Sequence, residues 1–313
     1  MAALACIGAM PALAGECKLK RFASIPISPI NGQILVDSSI NGEAVKLLVD
    51  TGSWGNSLAQ NFVNRTHGAK SDTPNGFGLT GKIIRGETHI DQLTLGGAVA
   101  RDAVFGIANL GGDGSDGRPV GLLGAAFLAH FDVEIDPGAR RMNLFSQDHC
   151  PGSGVYWAKE FFRLPIDLTP DKHLTAQIEI DGKVLHGLID TGASVTTMRL
   201  AVARAVFDIS PDAVAPQDHR SMIGADGTKI DSFTHSFKSL RFGDITLHDT
   251  KVMIGDIDSG KGYVTTGSRI TGLADQPDVI IGLSLLSRLH LFIAYSEPAL
   301  YFTIMEQTAP PGN

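Results

Sequence analysis

The feature of this 313-residue chain that most constrains its fold is an internal repeat. The segment QILVDSSINGEAVKLLVDTGS of the first half lines up with AQIEIDGKVLHGLIDTGAS of the second half. In both copies a turn glycine, Gly42 or Gly182, precedes an aspartate, Asp50 or Asp190, by the same eight residues. A chain that repeats itself in this way is expected to fold as two similar units.

The repeated segments have the pattern of β-strands. In each copy an alternating strand runs into Asn41-Gly42 or Asp181-Gly182, dipeptides that favour the type I′ turn of a tight hairpin. Two later blocks also match between the halves. The first is a β-rich arm that contains glycines at its turn, and the second is GLLGAAFLAHFDVEID in the first half and VIIGLSLLSRLHLFIAY in the second. Periodicity typical of helices is limited to short pieces near residues 57–65 and 199–206. The sequence therefore predicts a mainly β fold.

The triplet Asp-Thr-Gly occurs at the same place in both copies, at residues 50–52 and 190–192. A single triplet of this kind is an ordinary turn after a strand, since Asp and Gly are common turn residues. Here each triplet follows an apolar strand and precedes a small residue, Ser53 or Ala193. The matched positions indicate a paired functional site instead of two unrelated turns.

The chemistry of such a pair follows from electrostatics. Two carboxyl groups held a few ångströms apart cannot both ionise, so they share one proton. The ionised carboxylate can deprotonate a water molecule, while its protonated partner hydrogen-bonds the carbonyl oxygen under attack. We therefore predict that Asp50 and Asp190 hydrolyse peptide bonds without a metal or a cofactor.

The residues beside the aspartates have predicted supporting roles. Thr51 and Thr191 can brace one loop against the other, because a hydroxyl both donates and accepts hydrogen bonds. The glycines Gly52 and Gly192 allow backbone N–H groups to approach a carboxylate.

The two copies also differ at the site. Ser53 has a hydroxyl where Ala193 has none. We expect the Ser53 hydroxyl to donate to Asp50, which would favour the ionised form of Asp50 and make it the base.

The blocks LVDTGS and LIDTGAS, the MIGADG arm and the LLG and IIG segments resemble the retropepsins, specifically bacterial proteins with two such units in one chain. The resemblance covers about residues 25–305. It implies a bilobed acid-protease fold, in which two β-barrel-like lobes enclose the active site and one flap from each lobe closes over an extended peptide or protein substrate. It places Gly124 and Gly282 in loops that support the site. The implied flap glycines are Gly78, Gly81, Gly224 and Gly227.

Since one chain already holds both aspartates, the resemblance implies a protein that is active as a monomer. The predicted domains are an N-terminal lobe at residues 15–150, a linker at 151–160 and a C-terminal lobe at 161–313. The linker begins with the Pro/Gly/Ser-rich PGSG, as segments between domains often do.

The first residues predict export. An apolar stretch ends in Ala12-Leu13-Ala14, the small-x-small form of a signal-peptidase site, so residues 1–14 are interpreted as a signal peptide of a secreted or periplasmic bacterial protein. Cleavage there would leave Cys17 and Cys150 as the only cysteines of the chain. In an oxidising compartment these two are expected to form a disulfide between the start and the end of the first lobe.

Other classes of partner are disfavoured. A net charge of -7 without a Lys/Arg run argues against nucleic acid, and no later apolar stretch reaches the roughly 18 residues of a membrane span. The ten histidines form no metal-binding motif.

Two alternative functions remain. A glycosidase also uses paired carboxylates, but twin DTG loops and an aromatic content of 7% disfavour it. A catalytically silent, peptide-binding member of the fold is the other alternative, and the intact Asp50 and Asp190 argue against it.

Overall fold

The computed structural model describes residues 18–30, 32–77, 83–110, 112–115, 117–213, 219–223, 228–257 and 276–305. Within them strands far outnumber helices, so the predicted mainly β fold class is confirmed. Several predictions fall outside the described residues, and they concern the signal peptide 1–14, Cys17 and the flap glycines Gly78, Gly81, Gly224 and Gly227.

Within the described residues, the first lobe is a sheet with two short helices. Helix α1 (Gln60–Arg65) directly follows the fourth strand, and helix α2 (Ala125–Leu128) follows the eighth. The strands of the first half that lie in the described residues are β1 (Arg21–Ile30), β2 (Gln33–Ile40), β3 (Glu43–Val49), β4 (Ser57–Ala59), β5 (Ser71–Phe77), β6 (Ile83–Leu95), β7 (Ala98–Ala108), β8 (Gly121–Leu123), β9 (Asp132–Asp136) and β10 (Arg141–Phe145).

The second lobe repeats this arrangement. Helix α3 (Leu200–Phe207) and a 3-10 turn (Pro211–Ala213) follow its short central strand, and helix α4 (Leu283–Leu286) follows a later one. The strands of the second half within the described residues are β11 (Phe162–Pro165), β12 (Asp167–Leu168), β13 (Leu174–Ile180), β14 (Lys183–Ile189), β15 (Thr197–Arg199), β16 (His219–Ile223), β17 (Lys229–Phe242), β18 (Ile245–Gly255), β19 (Val279–Ile281), β20 (Leu289–Ala294) and β21 (Ala299–Ile304).

The two lobe sheets have the same strand order. It is β1-β2-β3-β8-β4-β7-β6-β5 in the first lobe and β12-β13-β14-β19-β15-β18-β17-β16 in the second. The equivalent pairs β2–β6 and β13–β17 close each sheet on itself, and β3–β8 and β14–β19 are parallel in both. The repeat in the sequence is therefore also a repeat in the structure.

The hairpin turns have the predicted geometry. Asn41 and Gly42 have φ values of 49° and 86°, and Asp181 and Gly182 have φ values of 45° and 76°. Positive φ at both central residues is the mark of the type I′ turn. In each lobe the side chain of the first turn residue also accepts a backbone N–H from the strand that closes the sheet, at 2.9 Å from Gln92 and 2.8 Å from Ser239.

A third sheet joins the lobes. Its strands run in the order β11-β21-β20-β9-β10-β1, so three come from each half of the chain. The join is the antiparallel pair β9–β20, in which Ile135 lies opposite Leu291 and Val133 opposite Ile293. These side chains are buried in one apolar core that extends through both lobes. Since the core is continuous, burial of apolar surface favours the docked arrangement of the lobes.

The segment between β10 and β11 contains the predicted linker, residues 151–160. Cys150, at its start, is disulfide-bonded. Its expected partner Cys17 lies outside the described residues, and the pairing stays a prediction. No helix among the described residues is long and apolar enough to cross a membrane.

A core substitution in the joining sheet tests this description. Phe302 on β21 is fully buried, and its ring packs on Phe162 and Phe242 with centroids 5.5 and 5.4 Å apart. We expect Phe302→Ala to lower the free energy of unfolding by about 3–5 kcal/mol, because it removes buried apolar surface and leaves a cavity. Urea unfolding followed by circular dichroism measures the loss.

The matched control is Ile304→Ala on the same strand, where the side chain is 49% exposed. Its expected cost is about 0.5 kcal/mol or less. Equal losses for the two variants would contradict the assigned orientation of β21.

Candidate active site

The two aspartates occupy equivalent places in the lobes. Asp50 follows β3 and Asp190 follows β14, and each donates its backbone N–H at 3.0 Å to the parallel neighbour strand, to Leu123 O and Ile281 O respectively. The lobes face each other so that each carboxyl group lies against the glycine of the opposite triplet. The structure thus brings together the two residues that the sequence singled out.

Backbone N–H groups orient each carboxylate. The two residues that follow each threonine donate to the Oδ1 atom of the aspartate in their own loop. The four distances are 3.0 Å from Gly52 and 2.9 Å from Ser53 to Asp50, and 2.7 Å from Gly192 and 3.1 Å from Ala193 to Asp190. With Oδ1 held in this way, the side chains have little freedom to rotate.

The third residue of each triplet has to be glycine, because the carboxyl group of the opposite lobe approaches it closely. A Cβ atom on Gly52 would collide with the carboxyl group of Asp190, and one on Gly192 would collide with the carboxyl group of Asp50. Each glycine therefore makes room for the aspartate of the opposite lobe.

The threonines lock the two loops together. Thr51 Oγ1 accepts the backbone N–H of Thr191 at 3.1 Å, and Thr191 Oγ1 accepts that of Thr51 at the same distance. Each hydroxyl donates in turn to a carbonyl of the opposite strand, Ile189 O or Val49 O, at 2.8 Å. Both side chains are fully buried, so all four bonds lie away from water. This is the bracing geometry expected from the sequence.

The expectation for Ser53 is wrong. Its hydroxyl donates to Gly55 O at 3.2 Å, and only its backbone N–H reaches Asp50. Ala193 supplies the same backbone N–H to Asp190, so the hydroxyl does not distinguish the two aspartates.

Burial raises the pKa of Asp50 well above its ordinary value, and the charge of Asp190 and the hydrogen bond with it raise the pKa further. Burial also raises the pKa of Asp190. The rise is opposed by its backbone hydrogen bonds, by the bond with Asp50 and by the charge of His173. The pair therefore keeps one proton above the usual carboxyl range.

His173 is a site residue that the sequence analysis missed. It comes just before β13, at the position that corresponds to Gln33 in the first lobe, so the titratable group beside Asp190 has no equivalent beside Asp50. Burial lowers the pKa of His173, so it carries a positive charge only at acid pH. Its Nε2 atom is buried and has no hydrogen-bond partner among the described residues. An alignment of the two copies at their offset of 140 residues places His173 opposite Gln33 and would have revealed this difference from the sequence.

The late glycines support the loops as expected. Ala125 N–H donates to Ser53 O at 2.7 Å, and Leu283 N–H donates to Ala193 O at 2.8 Å. A Cβ atom on either preceding glycine, Gly124 or Gly282, would clash with the backbone of these loops.

The bonds of these glycines involve two further residues that the sequence analysis missed. Gly124 N–H donates to Asn56 Oδ1 at 3.0 Å, and Gly282 N–H donates to Thr196 Oγ1 at 3.2 Å. Asn56 and Thr196 could have been found in the sequence from the 140-residue offset between the copies, which makes positions 56 and 196 equivalent.

Known proteins match both halves of this arrangement. The family "gag-polyprotein putative aspartyl protease" matches residues 36–130, and the family "Aspartyl protease" matches residues 176–285. A crystal structure of aspartic proteinase from Irpex lacteus is similar over 91% of this chain and 98% of its own, with a TM-score of 0.50 and 16% sequence identity. No curated protein sequence matches the chain.

The fold is that of a bilobed aspartic proteinase. Each lobe matches an aspartyl protease family model around its own DTG triplet, so the chain carries two retropepsin-like units in one polypeptide.

The threonine bonds can be tested by substitution. Thr51→Val keeps the shape of the side chain but leaves the N–H of Thr191 and the carbonyl of Ile189 without their partner. We expect the free energy of unfolding to fall by at least about 1–3 kcal/mol, because unsatisfied buried polar groups are costly. Urea unfolding measures this.

Thr51→Ser retains the hydroxyl and is expected to recover most of the loss. Thr246→Val, on an exposed part of β18, controls for the substitution itself. If Thr51→Val and Thr51→Ser were equally stable, the hydrogen bonds would not be what holds the loops.

Proposed function

We propose that this protein is an aspartic endopeptidase that hydrolyses peptide bonds with a water molecule activated by Asp50 and Asp190. The observation that carries the proposal is the pair of carboxyl groups that face each other where the two triplets meet, one from each lobe. The family matches and the fold support a peptidase on independent grounds.

The surroundings of the pair favour particular roles. Asp190, ionised beside His173, takes a proton from the water as its oxygen attacks the peptide carbonyl carbon. Asp50 hydrogen-bonds the carbonyl oxygen and gives it the shared proton, which forms a neutral tetrahedral intermediate. Collapse of the intermediate breaks the C–N bond, the amine nitrogen takes the proton from Asp190, and the hydroxyl proton returns to Asp50. The pair then has its original protonation state.

The proposed substrate is a peptide or protein segment in extended conformation between the lobes. Antiparallel hairpin arms rise from both lobes, β5 with β6 and β16 with β17. Extended peptides bind such strands through main-chain hydrogen bonds, and pockets for the side chains give specificity. We further propose that one chain suffices for activity, since both aspartates belong to it, and that the protein acts in a secreted or periplasmic compartment.

The geometry favours this function over the alternatives. The carboxyl groups of a glycosidase pair are about 5 Å or more apart with separate roles, whereas Asp50 and Asp190 each lie against the glycine of the opposite triplet and raise the proton affinity of the pair. A catalytically silent, peptide-binding protein would have the same fold, so a catalytic assay is needed to distinguish it from an enzyme.

The decisive variant is Asp190→Asn. We expect kcat for cleavage of an unfolded protein substrate at acid pH to fall by at least about 10²-fold, because the base is removed. The wild type is expected to be inhibited by pepstatin and to keep its activity per molecule on dilution.

The control for this assay is Asp244→Asn, in an exposed turn of the same lobe, which should leave cleavage unchanged. Wild-type protein that is folded but does not cleave would support the silent reading, and an active Asp190→Asn variant would exclude the proposed mechanism.

The dyad also predicts a pH dependence. Since the pKa of Asp50 is raised, kcat/KM should persist above the ordinary carboxyl range and fall as pH rises through the raised value. The acid limb reports the ionisation of Asp190, and the charge of His173 lowers that pKa. We expect His173→Gln, which copies Gln33 of the first lobe, to move the acid limb to higher pH. Superimposable profiles of variant and wild type would show that His173 does not tune the pair.

A further inference from the structure

A polar cluster along the joining sheet links the lobes at a second place, which we call the inter-lobe clasp. Two carboxylates on β9 of the first lobe form its centre, and each accepts hydrogen bonds from the connecting segment and from the second lobe. The members of the clasp are Asp132, Glu134, His149, Tyr156, His290 and Ser296.

Asp132 joins three parts of the chain. Its Oδ2 accepts a bond from His149 Nε2 at 2.6 Å and from the hydroxyl of Ser296 at 2.7 Å, and its Oδ1 accepts the backbone N–H of Ser296 at 3.1 Å. The Asp132 side chain is 0% exposed and that of His149 is 1% exposed. Three donors thus surround the buried carboxylate of Asp132.

The hydrogen bonds of His149 determine its charge. Its Nδ1 lies 3.0 Å from Cys150 O, and its Nε2 lies 2.6 Å from Asp132 Oδ2. The nearby hydroxyl of Ser153 donates to Cys150 O at 2.6 Å, so its oxygen, 3.2 Å from Nδ1, is left to accept. Both ring nitrogens thus face acceptors. A neutral imidazole has only one N–H and would place the lone pair of its other nitrogen against an oxygen, so this geometry favours the protonated ring.

Glu134 makes the second link of the clasp. It accepts bonds from His290 Nε2 in the second lobe at 2.7 Å, from Asn143 Nδ2 at 2.6 Å and from the Tyr156 hydroxyl at 2.8 Å. The ring of Trp157 stacks on His290 with centroids 3.8 Å apart. Like Asp132, Glu134 connects both lobes and the segment between them.

We propose that the inter-lobe clasp is a pH-dependent joint, which holds the two lobes together while His149 is protonated and loosens when His149 loses its proton.

The direction of the effect follows from the groups around His149. Burial by itself lowers the pKa of His149, but the hydrogen bonds to Cys150 O and Asp132 and the charges of Asp132 and Glu297 outweigh it, so the pKa is raised. A raised histidine pKa contributes stability that is complete below the ordinary value of about 6.5 and is lost as pH rises through the raised value. The joint therefore weakens on the alkaline side.

Other charges face the clasp. Asp148 lies next to His149 and interacts with Lys20, and Glu297 accepts the backbone N–H of Gly152 at 2.9 Å. Both carboxylates add to the negative charge that favours a protonated His149. Around the second link, Asp136 Oδ2 lies 3.8 Å from His290 Nδ1, and Arg21 lies near Tyr156.

At acid pH, the stability of the inter-lobe clasp is limited by the protonation of Glu134. Burial raises the pKa of Glu134, but the bonds from His290, Asn143 and Tyr156 outweigh this and lower it below 4.5. Its contribution is present above the ordinary value and is lost as pH falls through the lowered one. The clasp is thus strongest from weakly acid pH up to the raised pKa of His149.

The joint has a consequence for the dyad, and this step rests on the proposed function. Asp50 and Asp190 belong to different lobes, so a loosened joint favours their separation. The clasp would then restrict activity to the acid range in which the carboxyl pair also holds its shared proton.

Hydrogen exchange at the backbone amides of β9 and β20 tests the proposal on the whole chain at pH 5.5 and pH 8, after correction for intrinsic exchange rates. In the wild type we expect protection to fall about tenfold or more from the lower to the higher pH, as a charged buried hydrogen bond is lost. In His149→Gln we expect weaker protection at pH 5.5 and no further loss at pH 8.

Two control variants separate titration from packing. His248→Gln makes the same change at an exposed histidine and should behave as the wild type. Ser296→Ala removes a donor to Asp132 without changing a titratable group, so it should lower protection equally at both pH values. A His149→Gln variant that keeps the full pH dependence of the wild type would overturn the proposal.

An NMR titration of His149 in the wild-type chain decides the question even if His149→Gln does not fold. The imidazole is expected to titrate above 6.5, and a value below 6.5 would overturn the proposal. Neither readout involves peptide cleavage, so a protein without protease activity would give the same results, and the proposed function and the joint can fail separately.

Discussion

The reciprocal hydrogen bonds of Thr51 and Thr191 are the interaction on which the site depends. Two buried carboxyl groups in contact oppose each other's ionisation, so their closeness has to be imposed by the structure around them. The threonine hydroxyls do this by bonding the backbone of the opposite lobe in both directions. Behind them, the β9–β20 pair and the shared apolar core keep the lobes from turning relative to each other.

The repeated backbone gives the two aspartates the same hydrogen bonds, so any difference between them has to come from outside the triplets. The sequence invites attention to Ser53 against Ala193, whereas the structure points to His173 against Gln33. A hydroxyl beside a carboxylate can donate to any acceptor that the local turn provides, and here the Ser53 hydroxyl donates to Gly55 O. A charge acts through space, and it retains its effect without direct contact.

Much of the fold could be predicted because it is encoded locally. The type I′ dipeptides and the apolar strands before each triplet have effects within a few residues, and two copies confirm one another. The clasp could not be predicted in this way. Asp132 and Glu134 look like the polar positions of an ordinary alternating strand, and their partners His290 and Ser296 lie more than 150 residues away. Only the docking of the lobes brings these groups together.

The joining sheet has a consequence for each half of the chain taken alone. Without its neighbour, either half would present β9 or β20 as an open edge, with free backbone donors and acceptors beside a strip of exposed apolar side chains. Such an edge pairs readily with any equivalent edge, including that of a second identical half. Covalent fusion therefore does more than supply two aspartates, because it presents each half with the correct partner at high local concentration before self-association can occur.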